Sequence, residues 1–165
     1  MLHALDIANY FLKKDVSKKY FNKNLINKND RQFYEGNVRL NKYLHLSQNI
    51  FIAKTGNKLF EDDLYASDDG AIVPDISNRY LCLVSKPDSN IIFSEDINVF
   101  LDKIYIVLKN ASVDELINLS CEDPEWKDKQ RFLKKTEQRM NSISYADEYK
   151  NQYKDIIKVM GRLDV

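Results

Sequence analysis

Residues Arg39–Gly70 read RLNKYLHLSQNIFIAKTGNKLFEDDLYASDDG, and the rest of the chain can be arranged around them. Val38, Leu40, Tyr43, Leu44, Ile50 and Phe51 recur at spacings of three, four and seven, which fits one face of a helix. Arg39, Asn41, Lys42, Gln48 and Asn49 form the other face, expected to be the polar one where a functional surface would sit. Thr55-Gly56-Asn57 stops the helix, because glycine enters the left-handed conformation at little steric cost. Leu59 and Phe60 can then fold back onto the last turn. An acidic loop, Glu61–Asp69, follows and closes on a turn at Gly70.

Working outward, Ala4–Lys14 has a helical repeat of Leu5, Ala8, Phe11 and Leu12, with Lys13 and Lys14 at its C-terminal end. Asp15–Gly36 is irregular and mixes lysines with Tyr20, Phe21, Phe33 and Tyr34. It reads as a loop or short helix whose aromatics enter the core. Basic residues interleaved with aromatics are also a footprint of nucleic-acid binding, and aromatic anchors ringed by charge are typical of protein interfaces, so residues 15–36 offer a nucleic-acid-binding and a partner-binding alternative. Leu64–Ala66 fits a short strand, and Tyr80–Val84 with Ile91–Phe93 fits either a hairpin or a helix end and a loop. Pro74 suits the first turn of a helix. Ser94 caps a helix running to Asn110, Ser112 and Glu115 form a capping box, and Pro124 starts a helix carrying Trp126, Phe132 and Leu133. Ser144 opens a last helix, Tyr145–Met160, ended by Gly161. The expectation is a mainly α fold: one compact helical domain of about six to seven helices with a small β element near residues 64–93.

RLNKYLHLSQ, then AKTGNKLFEDDLYA, then DDGAIVP, resembles the Panacea domain family, which includes SocA-like antitoxins and phage-associated proteins of the GepA type. The matching positions are Arg39, Leu40, Lys42, Leu44, Gly56, Lys58, Leu59, Phe60, Asp62, Ala66, Gly70, Val73 and Pro74. Asp6–Tyr10 is similar to the family's first helix, and Asp123-Pro124-Glu125-Trp126 to its Pro-Trp helix start. Where many members carry an aromatic, Ser67 stands; where they carry Gly-Pro, Gly70-Ala71 stands. Ser120-Cys121 replaces the usual Thr-His, so no role of that histidine transfers. The resemblance implies a mostly helical domain that binds protein partners, often toxins, and no known active site.

The 165 residues balance 25 basic against 25 acidic side chains, but unevenly along the chain. Residues 1–60 carry 11 basic and 4 acidic groups, residues 61–125 carry 4 and 15, and residues 126–165 carry 10 and 6. Such segregation either holds one molecule together through complementary faces or presents a charged face to a partner. Cys82 and Cys121 have neither metal nor disulfide spacing, no apolar run is long enough to span a membrane, and the N-terminus lacks a basic leader. A cytoplasmic location is expected. The acidic loop lacks the order of an EF-hand, so no metal and no cofactor is called. His3 and His45 are the only histidines; His45 reads as a packed or surface side chain with no evident partner for base catalysis.

No catalytic residue is singled out, and the chain is read as a non-enzyme. The expected function is that of an antitoxin-like or phage-associated protein acting by stoichiometric binding. Its partner is expected to be a toxin encoded nearby, neutralised directly or handed to a protease. The alternatives are a nucleic-acid-binding regulator and, behind it, an unrecognised enzyme; a homo-oligomer is compatible with all of these. Arg39, Lys42, Asp62, Asp63 and Asp69, polar positions at or beside the resembling motifs, are the candidate partner-binding residues.

Overall fold

The computed structural model describes residues 1–28, 30–79, 91–131 and 138–164. Its centre is the helix α2, Glu35–Thr55. From Asn37 to Thr55 no glycine or proline interrupts the backbone, and Gly56 ends the helix in the left-handed conformation at φ 76°, its N–H donating to the Ile52 carbonyl at 2.8 Å. Around α2 pack α1 (Ala4–Lys14), α3 (Pro74–Arg79), α4 (Glu95–Leu108), α5 (Val113–Cys121) and α7 (Ala146–Gln152). Tyr43 anchors one side of the core, meeting the rings of Phe11 and Phe21 edge-on at centroid distances of 5.2 and 5.1 Å. Leu44, Leu46, Ile50 and Ile52 fill the rest of the helix's surroundings, all fully or almost fully buried.

The mainly α reading holds, with eight α-helices and two small antiparallel sheets among the described residues. Ser94 caps α4 and the Ser112–Glu115 box caps α5, as their spacing predicts. Pro124 opens α6 (Pro124–Arg131), behind an Asp123 carboxylate that accepts the Glu125 N–H at 2.8 Å. The expected last helix is broken: a 3₁₀ turn (Ser142–Tyr145) leads into α7, and α8 (Lys154–Gly161) restarts after Tyr153. Tyr153 at the junction is turned inward, its hydroxyl accepting from Asn49 of α2 at 3.0 Å.

The segment expected to be a loop or short helix contains a hairpin instead. Strands β1 (Leu25–Lys28) and β2 (Arg31–Tyr34) pair with Leu25 opposite Tyr34, and Asp30 takes φ 61° beside their turn. Tyr20 and Phe21 do enter the interior, held by Asp15, whose carboxylate accepts the N–H groups of Lys19, Tyr20 and Phe21 at 2.8–3.0 Å. The expected strand at Leu64–Ala66 appears as β3 (Tyr65–Ser67), paired with β4 (Gly70–Ile72). The Tyr80–Val84 half of the second suggested hairpin, Cys82, and the pair Phe132 and Leu133 lie outside the described residues.

Candidate functional site

The polar face of α2 is inside the protein. Arg39 and Lys42, expected at an outer surface, are only 5% and 2% exposed, and every residue from Arg39 to Ile50 is buried. The reason is that loops and helix ends lie over this face and use its side chains as hydrogen-bond partners. A buried backbone amide without a partner is costly, and here the helix supplies what the loops lack. Gln48 accepts the N–H groups of Leu59 and Phe60 at 2.7 and 3.2 Å and donates to the Phe60 carbonyl at 2.9 Å. Asn41 accepts the Val73 N–H at 3.0 Å, and Lys42 donates to the Ala71 carbonyl at 3.1 Å. The segments gripped are those of the Gly56–Phe60 and Gly70–Pro74 motifs.

One turn further along lies a sealed network. His45 bonds through Nδ1 to the Ser120 hydroxyl and through Nε2 to Asp123 Oδ2, both at 2.6 Å. Asp123 Oδ2 also accepts from Asn49 at 2.8 Å and from the Tyr149 hydroxyl at 3.1 Å, while Asn49 donates its other hydrogen to the Tyr153 hydroxyl at 3.0 Å. With its proton on Nε2, the ring serves Asp123 and leaves Nδ1 to accept the Ser120 O–H. Ser120 Oγ is then free to accept the Ala71 N–H at 3.1 Å. Burial alone would push the Asp123 carboxyl up, but the bonds from His45, Asn49 and the Glu125 N–H outweigh it and hold it below the ordinary carboxylate range. Histidine, serine and aspartate together suggest nucleophilic chemistry. Here all three have zero exposure, and the serine oxygen is already engaged by a backbone amide. In this conformation the network joins α2, α5, α6 and α7.

The opening beside it is a cleft of about 180 Å³ between the tip of the β1–β2 hairpin and the β3–β4 turn. Asn37, Asn41 and Lys42 of α2 form its floor, Phe33, Ile72 and Ile117 its apolar walls, and Arg31, Asp68 and Asp69 its rim. Arg31 reaches Asp69 at 3.1 Å and Asp68 at 3.4 Å, so the two turns meet across the mouth. Gly70 makes the approach of the floor possible. Its φ is 105°, and a Cβ there would lie 2.1 Å from Ser120 Oγ and 3.3 Å from Lys42 Nζ. Burial drives the Lys42 ammonium down from 10.5 to about 8, with Cys121 and Asp69 pulling weakly the other way. Cys121 is half-buried; burial first, and Asp69 and Glu122 in smaller measure, push its thiol up despite Lys42, which makes it a poor nucleophile.

Of the five candidate residues, the structure brings Lys42 and Asp69 to this cleft. The other three are elsewhere. Arg39 donates to the Ala111 carbonyl at 2.9 Å and lies over the Tyr20 ring. Asp62 accepts the Ala4 N–H at 2.7 Å at the start of α1, and Asp63 pairs with Arg139 at 2.7 Å and Lys58 at 3.7 Å. The sequence places Asn41 on the polar face and Arg31 in the basic, aromatic segment 15–36 without marking either as a candidate; Asn37 and the His45–Asp123 pair were not anticipated. A signal for the buried pair was present: Tyr43–Ala53 contains no charged residue, as expected of a helix enclosed on all sides.

The segregated charges are partly consumed within the fold, by Lys14–Asp102, Lys28–Asp114, Arg31 with Asp68 and Asp69, and Arg139–Asp63. No group of three or more histidine, cysteine or acidic residues that could hold a metal occurs among the described residues, and no helix there is long and apolar enough to cross a membrane. Comparison of the chain with protein-family models, curated proteins and solved structures yields no match.

Proposed function

We propose that this protein is an antitoxin-like binding module that works stoichiometrically in the cytoplasm, capturing a protein partner encoded nearby at the face that holds the cleft. Two supports converge. The resemblance to the Panacea domain family leads to an expectation of protein capture, and two of the stretches that carry it, Leu59–Phe60 and Gly70–Pro74, are segments that α2 fastens in place. The observation that carries the reading is the contrast in accessibility. His45, Ser120 and Asp123 are enclosed at zero exposure, while Arg31, Asp68 and Asp69 stand around an open, mainly apolar cleft. Loops held from behind present their rim without losing conformational entropy on binding, which favours affinity. Arg31 and the two aspartates can exchange their mutual pairing for bonds to a partner.

The test is co-expression with the product of the adjacent gene. Growth arrest by that product should be relieved by the wild-type chain and restored by Arg31→Glu, which reverses the rim's one arginine. Arrest that persists with the wild-type chain contradicts the proposal for that pair.

A further inference from the structure

Lys42 stands apart from the other buried polar groups of α2. Its side chain is 2% exposed and ends at the floor of the cleft. The Ala71 carbonyl is its one hydrogen-bond acceptor among the described residues, although an ammonium has three N–H groups to give. No carboxylate lies within ion-pair distance of it among those residues; Asp68 and Asp69 pair with Arg31 instead. Buried charges are ordinarily paired, whereas this amine has Asp69 and Cys121 only as electrostatic neighbours and belongs to a residue that lines the opening. Three features of the opening select what could pair with it. Phe33, Ile72 and Ile117 offer apolar contact to a short stem. The Asn37 and Asn41 amides border the floor. Asp68 and Asp69 at the mouth, partly offset by Arg31, repel a doubly charged anion more than a single carboxylate. The volume, about 180 Å³, leaves room for one short side chain.

We infer that the cleft is a binding site for one carboxylate on a short apolar stem, with Lys42 pairing the carboxylate and Arg31 closing over it. A free small acid and the acidic side chain or C-terminus of a partner offer the same group. The inference therefore stands whether or not the partner is a toxin.

The experiment follows the ε-carbon of Lys42 by NMR in lysine-labelled full-length protein, with Lys42→Met used to assign the signal. The titration is run in sodium chloride and in sodium butyrate of equal ionic strength, then with acetyl-Ala-Glu-Ala-amide and its glutamine counterpart. Asp69 and Cys121, which act on the amine, and Arg31 and Asp68 of the cleft are common to every arm. A bound carboxylate should raise the Lys42 midpoint by about one unit or more. It should also shift the Ala71 and Val73 amides saturably, and Arg31→Gln should weaken both effects. A response to butyrate alone assigns the site to a free acid; a response to the glutamate peptide at lower concentration assigns it to a partner's side chain. No midpoint change with either, or an equal change with the glutamine peptide, overturns the inference. Should Lys42→Met not fold, the wild-type midpoint and the Arg31→Gln comparison still decide.

Discussion

Two polar regions share the face of α2, and they are built on opposite terms. Around His45, donors and acceptors are matched: Asp123 Oδ2 takes bonds from His45, Asn49 and Tyr149, and Asn49 serves Tyr153. Among the described residues, the Asn49 side-chain oxygen is the heavy atom of that network left without a partner. One turn away, Lys42 is equally buried but under-paired, and it faces an opening rather than another helix. A matched interior network rigidifies; an under-paired buried charge costs stability and is the kind of group a ligand can satisfy. The difference separates a closed network on α2 from a part of the same helix that also lines an opening.

The sharpest way to break the comparison is Asp123→Ala. It strands buried donors on α2, α6 and α7, and a loss of about 3–5 kcal/mol is expected in urea unfolding. A loss below about 1 kcal/mol would mean that the network does not hold the helices together. Gly70→Ala comes next, at about 2–4 kcal/mol, because the new Cβ collides with Ser120 and the backbone φ of 105° is strained for any L side chain. The same denaturation series measures it.

Glu125 tests the interior through pH. Burial lifts its carboxyl from 4.5 to about 7, against the Asn141 N–H that it accepts and with Asp123 adding to the rise. Its folded value is above its unfolded one, so between pH 4.5 and 7 the native state holds the extra proton and stability falls as pH rises. The wild type should lose up to about 3 kcal/mol across that window, at 1.36 kcal/mol per unit. Glu125→Gln should flatten the curve, as read from unfolding midpoints at a series of pH values.

Lys42→Met sharpens the contrast from the other side. It removes a buried ammonium whose value is depressed to about 8 but also the bond to Ala71, and the two effects offset. Stability at pH 7 should stay within about 1 kcal/mol of wild type. The wild type should also gain stability as pH rises from 8 to 10.5, where the unfolded chain holds more protons, and the variant should not. Arg31→Gln, at an exposed ion pair, should change stability by no more than about 0.5 kcal/mol, so any effect on capture reports the surface itself.

Local signals carried most of the fold. Helix starts at Ser94, Ser112 and Pro124 and the stop at Gly56 depend on near neighbours, and they stand where spacing placed them. The β1–β2 hairpin is not legible in the sequence because its strands are four residues each, half exposed, and show no clean alternation of apolar and polar residues. The site was less legible because its contacts are distant in sequence. Asn41 to Val73, Lys42 to Ala71 and His45 to Asp123 are side-chain bonds that no spacing rule connects. A polar stripe at helical period normally marks solvent; here it marks loops folded over it, and the charge-free run Tyr43–Ala53 was the available hint.

The central claim is capture through the cleft face. The most direct measurement is a calorimetric titration of the purified chain with the protein encoded beside it. The account predicts saturation at a fixed whole-number ratio, with affinity lowered at least about tenfold by Arg31→Gln and unchanged by Lys150→Gln on α7, remote from the cleft in sequence and absent from its lining. Equal affinity for both variants, or inactivation of the partner by far less than one equivalent, would contradict it.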